Sequence, residues 1–191
     1  MPDPLDARRP ARRTLVLLAL VTAAPVVASY VAYYWLRPAA RVNYGELVVA
    51  PAPEIVGVDN HGAPWRLSTL RGRWVLLIAH TAACDAACER ALYATRQART
   101  IQNREQERIA RVLLQPSSAP PLAAALLAQH PGLAVVRADP AQWASLPNGD
   151  GAPSIYVVDP LGNLVLRYPA DPDIKRLAND LERLLKASRI G

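Results

Sequence analysis

The sequence predicts an α/β domain behind a single N-terminal transmembrane helix, and three observations carry that prediction. Residues 14–35 run for 22 positions without a charge. Two continuous apolar runs, at 74–79 and 110–114, flank a polar, helix-like stretch, as strands buried on both faces do around a crossover. The chain then closes on a hairpin signature followed by an amphipathic segment at 174–187. Alternating buried strands and helices imply a layered sheet.

At 191 residues, the chain suits one ordinary domain plus an accessory segment. It is 51% hydrophobic and 20% charged, which excludes a disordered or low-complexity polymer. Eighteen prolines, nine glycines and no phenylalanine point to long connections and an aliphatic core. The net charge of +6 is unevenly placed, with +4 of it in residues 1–41 and +2 in the remaining 150. A nearly neutral body gives no basic groove, so no nucleic-acid partner is expected.

Residues 14–35 meet the roughly 20 apolar residues that a helix needs to cross the hydrocarbon layer. Pro25 sits in mid-span, and Tyr30, Tyr33, Tyr34 and Trp35 gather at the far end, where an aromatic belt belongs. Four arginines precede the span and two follow it. The positive-inside rule then gives a cytoplasmic tail at 1–13 and an exported body, periplasmic in a cell with an outer membrane. The expected setting is the inner membrane, with one pass. Ala23, Ala24 and Ala28 leave cleavage of a signal peptide open as the competing reading.

Residues 36–52 read as a linker, and the ordered domain spans 53–188. Within it, 54–58 is a short strand, followed by turn chemistry at Asp59-Asn60-His61-Gly62. The strand at 74–79 leads to Cys84-Asp85-Ala86-Ala87-Cys88 and a polar helix reaching about residue 108. A strand at 110–114, a helix at 122–129, a strand at 133–136 and a helical turn at 140–146 follow. Strands at 154–158 and 164–168 flank Asp159-Pro160-Leu161-Gly162-Asn163, a hairpin loop. Ile174, Leu177, Leu181, Leu184 and Leu185 mark one face of the last helix. That order of elements is the order of a thioredoxin-like fold.

The two cysteines lie four apart in a domain expected to be exported, where an oxidising compartment favours their acting together. On one regular helix their Cα atoms would stand about 6.2 Å apart, inside the window for a disulfide. A position after a buried strand, at a helix start, stabilises a thiolate. Such a thiolate serves disulfide exchange and, as a soft ligand, Cu(I). A purely structural bridge is the plainer alternative, although closing so short a loop adds little stability.

With the anchor, the Cys-x-x-x-Cys after a buried strand and the late run Ile155-Tyr156-Val157-Val158-Asp159-Pro160-Leu161-Gly162, the chain resembles the SCO/SenC proteins. Those are thioredoxin-like, copper-binding and thiol-active factors that assemble the copper centre of cytochrome c oxidase. The resemblance implies Cu(I) as cofactor, with Cys84 and Cys88 as metal ligands and redox pair. It also implies an oxidase subunit, or another copper or thiol protein, as partner. Two departures stand out. Glu89 occupies the place of a proline that usually follows the family's motif, and Gly151 occupies that of its histidine ligand. The segment Gly151-Ala152-Pro153-Ser154 instead resembles the loop of TlpA-like thiol-disulfide reductases, which implies a cis Pro153 facing the cysteines. A docking factor that kept the fold and lost the chemistry is the third class.

His80, four residues before Cys84, is the candidate substitute metal ligand, against the plainer reading of a satisfied strand-end histidine. His61 and His130 read as solvated. A peroxiredoxin motif fails because Leu77 stands where its proline is required. The stretch 96–111 reads as a solvated helix face with a Glu107–Arg111 pair. Trp65, Trp74 and Trp143 read as packing.

Overall fold

In the computed structural model the described residues are 8–35, 43–147 and 153–188. The chain divides into two compact units, residues 1–42 and 43–191. The first holds helix α1 (Arg8–Trp35), with Pro25 inside it. Its segment Arg12–Tyr34 is long and apolar enough to cross a membrane. Within it Tyr30 stacks on Tyr34, and Tyr33 meets Tyr34 edge-on.

The second unit is built on one sheet of eight strands among the described residues, in the order β1-β8-β7-β4-β5-β6-β2-β3. The strands are β1 (Glu46–Pro51), β2 (Val56–Val58), β3 (Pro64–Arg66), β4 (Trp74–Ala79), β5 (Ile109–Pro116), β6 (Leu133–Ala138), β7 (Ser154–Val158) and β8 (Asn163–Pro169). Strand β4 runs parallel to β5 and antiparallel to β7, and every residue in it is buried. Its continuous apolar run follows from that position, since a strand with neighbours on both edges and layers on both faces has no polar side.

The helices are α2 (Ala86–Ile101), α3 (Ala124–Ala128) and α4 (Ile174–Ala187). Alternation along the strands separates two cores. Trp74, Leu76, Ile78, Ile109, Leu113, Leu133, Val135, Ile155 and Val157 pack with Cys88, Ala91 and Leu92 of α2 and with Leu177, Leu181 and Leu185 of α4. The intervening residues Val75, Leu77, Val112, Leu114 and Tyr156 pack on the other face with Ile55, Leu67, Trp143 and Leu146. One face is therefore helical, and irregular segments close the other. At the β7–β8 turn, Asp159 accepts the N–H groups of Leu161 and Asn163, and Gly162 takes the left-handed conformation at φ 94° that favours glycine.

The domain begins earlier than the sequence suggests. Residues 46–51, read as linker, form β1 on β8. Its entry is fixed by the buried carboxylate of Asp180 on α4, whose Oδ2 accepts Tyr44 N–H at 2.8 Å, Gly45 N–H at 2.9 Å and Tyr168 O–H at 3.0 Å. The Arg176 guanidinium sits 4.3 Å over the Tyr44 ring. A Cβ on Gly45 would lie 2.6 Å from the Tyr168 ring, so this contact requires glycine.

Other expectations change on the α2 side. The helix stops at Ile101, Asn103 turns left-handed at φ 52°, and a 3₁₀ segment follows at Asn103–Arg108. Arg111 then belongs to β5 and is buried, so the expected Glu107–Arg111 helical pair does not form. Its guanidinium donates to Leu92 O and Thr95 Oγ1 and lies 3.4 Å from His130 Nδ1. His130, read as solvated, is buried beside it. Burial, then the charges of Arg111 and Arg96, lower its pKa to about 4. Residues 124–128 alone form the helix expected at 122–129, and β3 is a strand that local pattern did not reveal. The final helix matches its expected bounds, Ile174–Ala187.

Candidate functional site

The C-terminal end of β4 delivers the chain to the cysteine motif. Asp85 caps α2, its Oδ1 accepting Cys88 N–H at 2.9 Å, one of the N–H groups a helix start leaves without an intrahelical partner. That bond, first among its causes, holds the Asp85 carboxyl below the usual carboxylate range. Cys84 precedes the cap and Cys88 is the third helical residue. The two are joined in a disulfide with Cα atoms 5.2 Å apart. This is shorter than the regular-helix estimate because Cys84 stands outside the helix, beyond an extended Asp85.

The sulfurs differ in access. Cys88 is wholly buried and packs in the helical-face core, whereas Cys84 is only partly buried. Cys84 is therefore the more accessible of the two sulfurs.

Strand register places the remaining site residues. Ala79 pairs with Ser154 of β7 and with Leu114 of β5, and His80 N–H continues the ladder by donating to Leu114 O at 3.2 Å. The next position on the helical face is then His80, with Pro153 beside it on the β7 side and Gln115 on the β5 side. All three are buried. The peptide bond before Pro153 joins it to Ala152, which, like Gly151, lies outside the described residues.

His80 Nε2 lies 2.9 Å from Ala83 O and 3.7 Å from Asp85 Oδ1. A carbonyl only accepts, so Nε2 carries the proton, and Nδ1 is left buried without a partner. Among the described residues no three His, Cys, Asp or Glu side chains are grouped to hold a metal ion. His80 thus lies at the motif without forming a ready-made three-donor site with the sulfurs. Sequence reasoning missed Gln115, whose amide Nε2 and Oε1 are both buried and unpartnered. Its one signal was a polar residue ending the apolar run of β5.

Residues 74–188 match the family described as transmembrane-like, thioredoxin-like, C-terminal domain. No curated protein sequence matches. Among solved structures, the apo Sco1 protein of Thermus thermophilus is 25% identical, with a TM-score of 0.59 over 76% of this chain and 99% of that one. The copper-bound ScoI of Bradyrhizobium japonicum is 19% identical, with a TM-score of 0.53 over 70% and 99%. The thioredoxin domain of a thiol-disulfide oxidoreductase from Bacteroides vulgatus is 18% identical, with a TM-score of 0.55 over 73% and 99%. The fold is thioredoxin-like.

Proposed function

Since the chain belongs to the transmembrane-like, thioredoxin-like C-terminal domain family, we propose that it is a single-pass membrane protein whose exported domain serves cytochrome c oxidase copper-centre assembly through Cys84 and Cys88. The observation that carries this reading is the disulfide itself, one sulfur reachable and the other buried at a helix start. In the reduced state the two thiolates suit Cu(I), which is soft and accepts low coordination, as cargo handed to a copper protein. Cu(II) favours nitrogen and oxygen ligands in tetragonal geometry, so two sulfurs alone suit it poorly. Arg12 and Arg13 ahead of the span put the N-terminus in the cytoplasm and the domain outside the inner membrane.

A second reading, a TlpA-like periplasmic reductase acting on a client's disulfide, draws on Pro153 beside the motif and on the similarity to the Bacteroides oxidoreductase. A docking factor without chemistry would need neither sulfur. Thiol labelling of the full chain tests the shared core, with both cysteines expected to switch together between blocked and alkylatable as oxidant and reductant are exchanged. Competition with a Cu(I) chelator then separates the first two readings. Binding that disappears in Cys84→Ser and in Cys88→Ser supports copper handling, and redox switching without Cu(I) binding supports the reductase. Cysteines that stay alkylatable under mild oxidant would sink the redox reading, and absence of Cu(I) binding as well would sink both.

A further inference from the structure

Two buried polar side chains at the redox end keep hydrogen-bonding atoms unused in the oxidised fold. The β4–β5 register ends at Ala79 and Leu114, and His80 N–H donates to Leu114 O, so His80 and Gln115 follow as the next pair on the face that α2 covers. Both are at least nine-tenths buried. Three of their polar atoms, Gln115 Nε2, Gln115 Oε1 and His80 Nδ1, have no hydrogen-bond partner. A buried donor or acceptor left unmade is destabilising by an amount comparable to a lost hydrogen bond. The strand neighbours two residues earlier on the same face, Leu113 and Ile78, belong to the same hydrophobic cluster as Cys88.

Resting on the redox reading above, we propose that the Gln115 amide is the hydrogen-bond donor that receives the Cys88 sulfur when the disulfide opens, with His80 completing the polar rung. In the step itself, which recharges the protein before it reduces a client, a thiolate of a reductant dithiol attacks Cys84 Sγ. A bond forms between the reductant sulfur and Cys84, the Cys84–Cys88 bond breaks, and its electron pair leaves on Cys88 as a thiolate. The reductant's second thiolate then attacks the reductant sulfur of the mixed disulfide. The reductant is oxidised to a disulfide, and the second electron pair leaves on Cys84. The two protons given up by the reductant's thiols balance those that protonate the two cysteines. Wholly enclosed, the Cys88 sulfur gains no stabilisation from water, so a donor must come from the protein. Charged neighbours include Asp85, whose Oδ1 lies 3.7 Å from His80 Nε2, and Arg137, in register with Gln115 across β5 and β6.

The test uses the full chain in lipid nanodiscs, equilibrated in glutathione redox buffers. Gln115→Leu is expected to lower the equilibrium constant for reduction about tenfold while leaving the melting temperature of the oxidised form unchanged or higher. An unchanged constant overturns the proposal, because a purely structural glutamine has no stake in the redox state. In the wild type the ¹⁵N and ¹H shifts of the Gln115 side-chain amide are expected to move on reduction, and a static amide signal overturns the proposal without any variant. If the wild-type pair does not interconvert at all, the redox reading falls and takes this inference with it. If only the variant behaves as wild type, the redox reading stands alone.

Discussion

Where β1 meets α4, the buried Asp180 carboxylate receives three hydrogen bonds on one oxygen and faces Arg183 at 3.5 Å with the other. At the ends of β4 and β5, His80 and Gln115 are as deeply enclosed yet keep three polar atoms unpartnered. Both regions place polar groups against the helical face of the same sheet. One is tied down by three hydrogen bonds and an ion pair in the resting fold and fixes where the domain begins, although Asp180 Oδ1 itself makes no hydrogen bond. The other has three atoms without a hydrogen bond, and it lies at the redox motif. A polar cluster tied down from several elements reads as architecture, whereas a largely unbonded one at a reactive centre reads as chemistry.

Breaking the Asp180 cluster should have the largest effect. Asp180→Ala strands the Tyr44 and Gly45 N–H groups and the Tyr168 hydroxyl, and should cost about 3–5 kcal/mol. Urea titration of the full chain in detergent checks this. The glutathione equilibrium of the Cys84–Cys88 pair should not change, and a shift would erase the distinction between the two regions.

The Arg111–His130 cluster lies between these extremes, a buried cation held by neutral acceptors. His130 is depressed to about 4 from an ordinary 6.5, so the unfolded chain binds more protons than the folded one in that interval. Stability from this residue is fully present above pH 6.5 and is lost as pH falls toward 4, by about 1–2 kcal/mol. Thermal unfolding followed from pH 7 to pH 4 should show the loss, and His130→Gln should flatten that portion of the curve.

The smallest expected effect sharpens the redox end. Asp85→Ala removes the cap on Cys88 N–H and should cost about 1 kcal/mol, read by the same urea titration. A loss near that for Asp180→Ala would show that the redox end is held together as firmly as the Asp180 cluster.

Legibility in the sequence followed the range of the interactions. Strand β4 could be read residue for residue because its whole environment is apolar, and α4 because its apolar face repeats with helical period. Strand β1 could not, because it forms only by pairing with β8, with Glu46 bonding Arg167 across 121 residues of chain. Arg111 was misread because Glu107 stands at helical spacing from it, while the break at Asn103 depends on one left-handed residue. The disulfide was accessible from the spacing of the cysteines, their place at a helix start and the oxidising compartment expected for the domain. Gln115 was not, because a glutamine ending a strand reads as a surface position until register places it beside His80.

The Asp180 contact also has a mechanical meaning. The chain arriving from the membrane helix enters the domain at Tyr44 and Gly45, which are bolted to α4 before β1 begins. A pull on that chain loads the Asp180 bonds and then the β1–β8 ladder at the rim of the sheet. Strands β8 and β7 both stand between that rim and β4. Tension is thus borne first by the last helix and the edge strand.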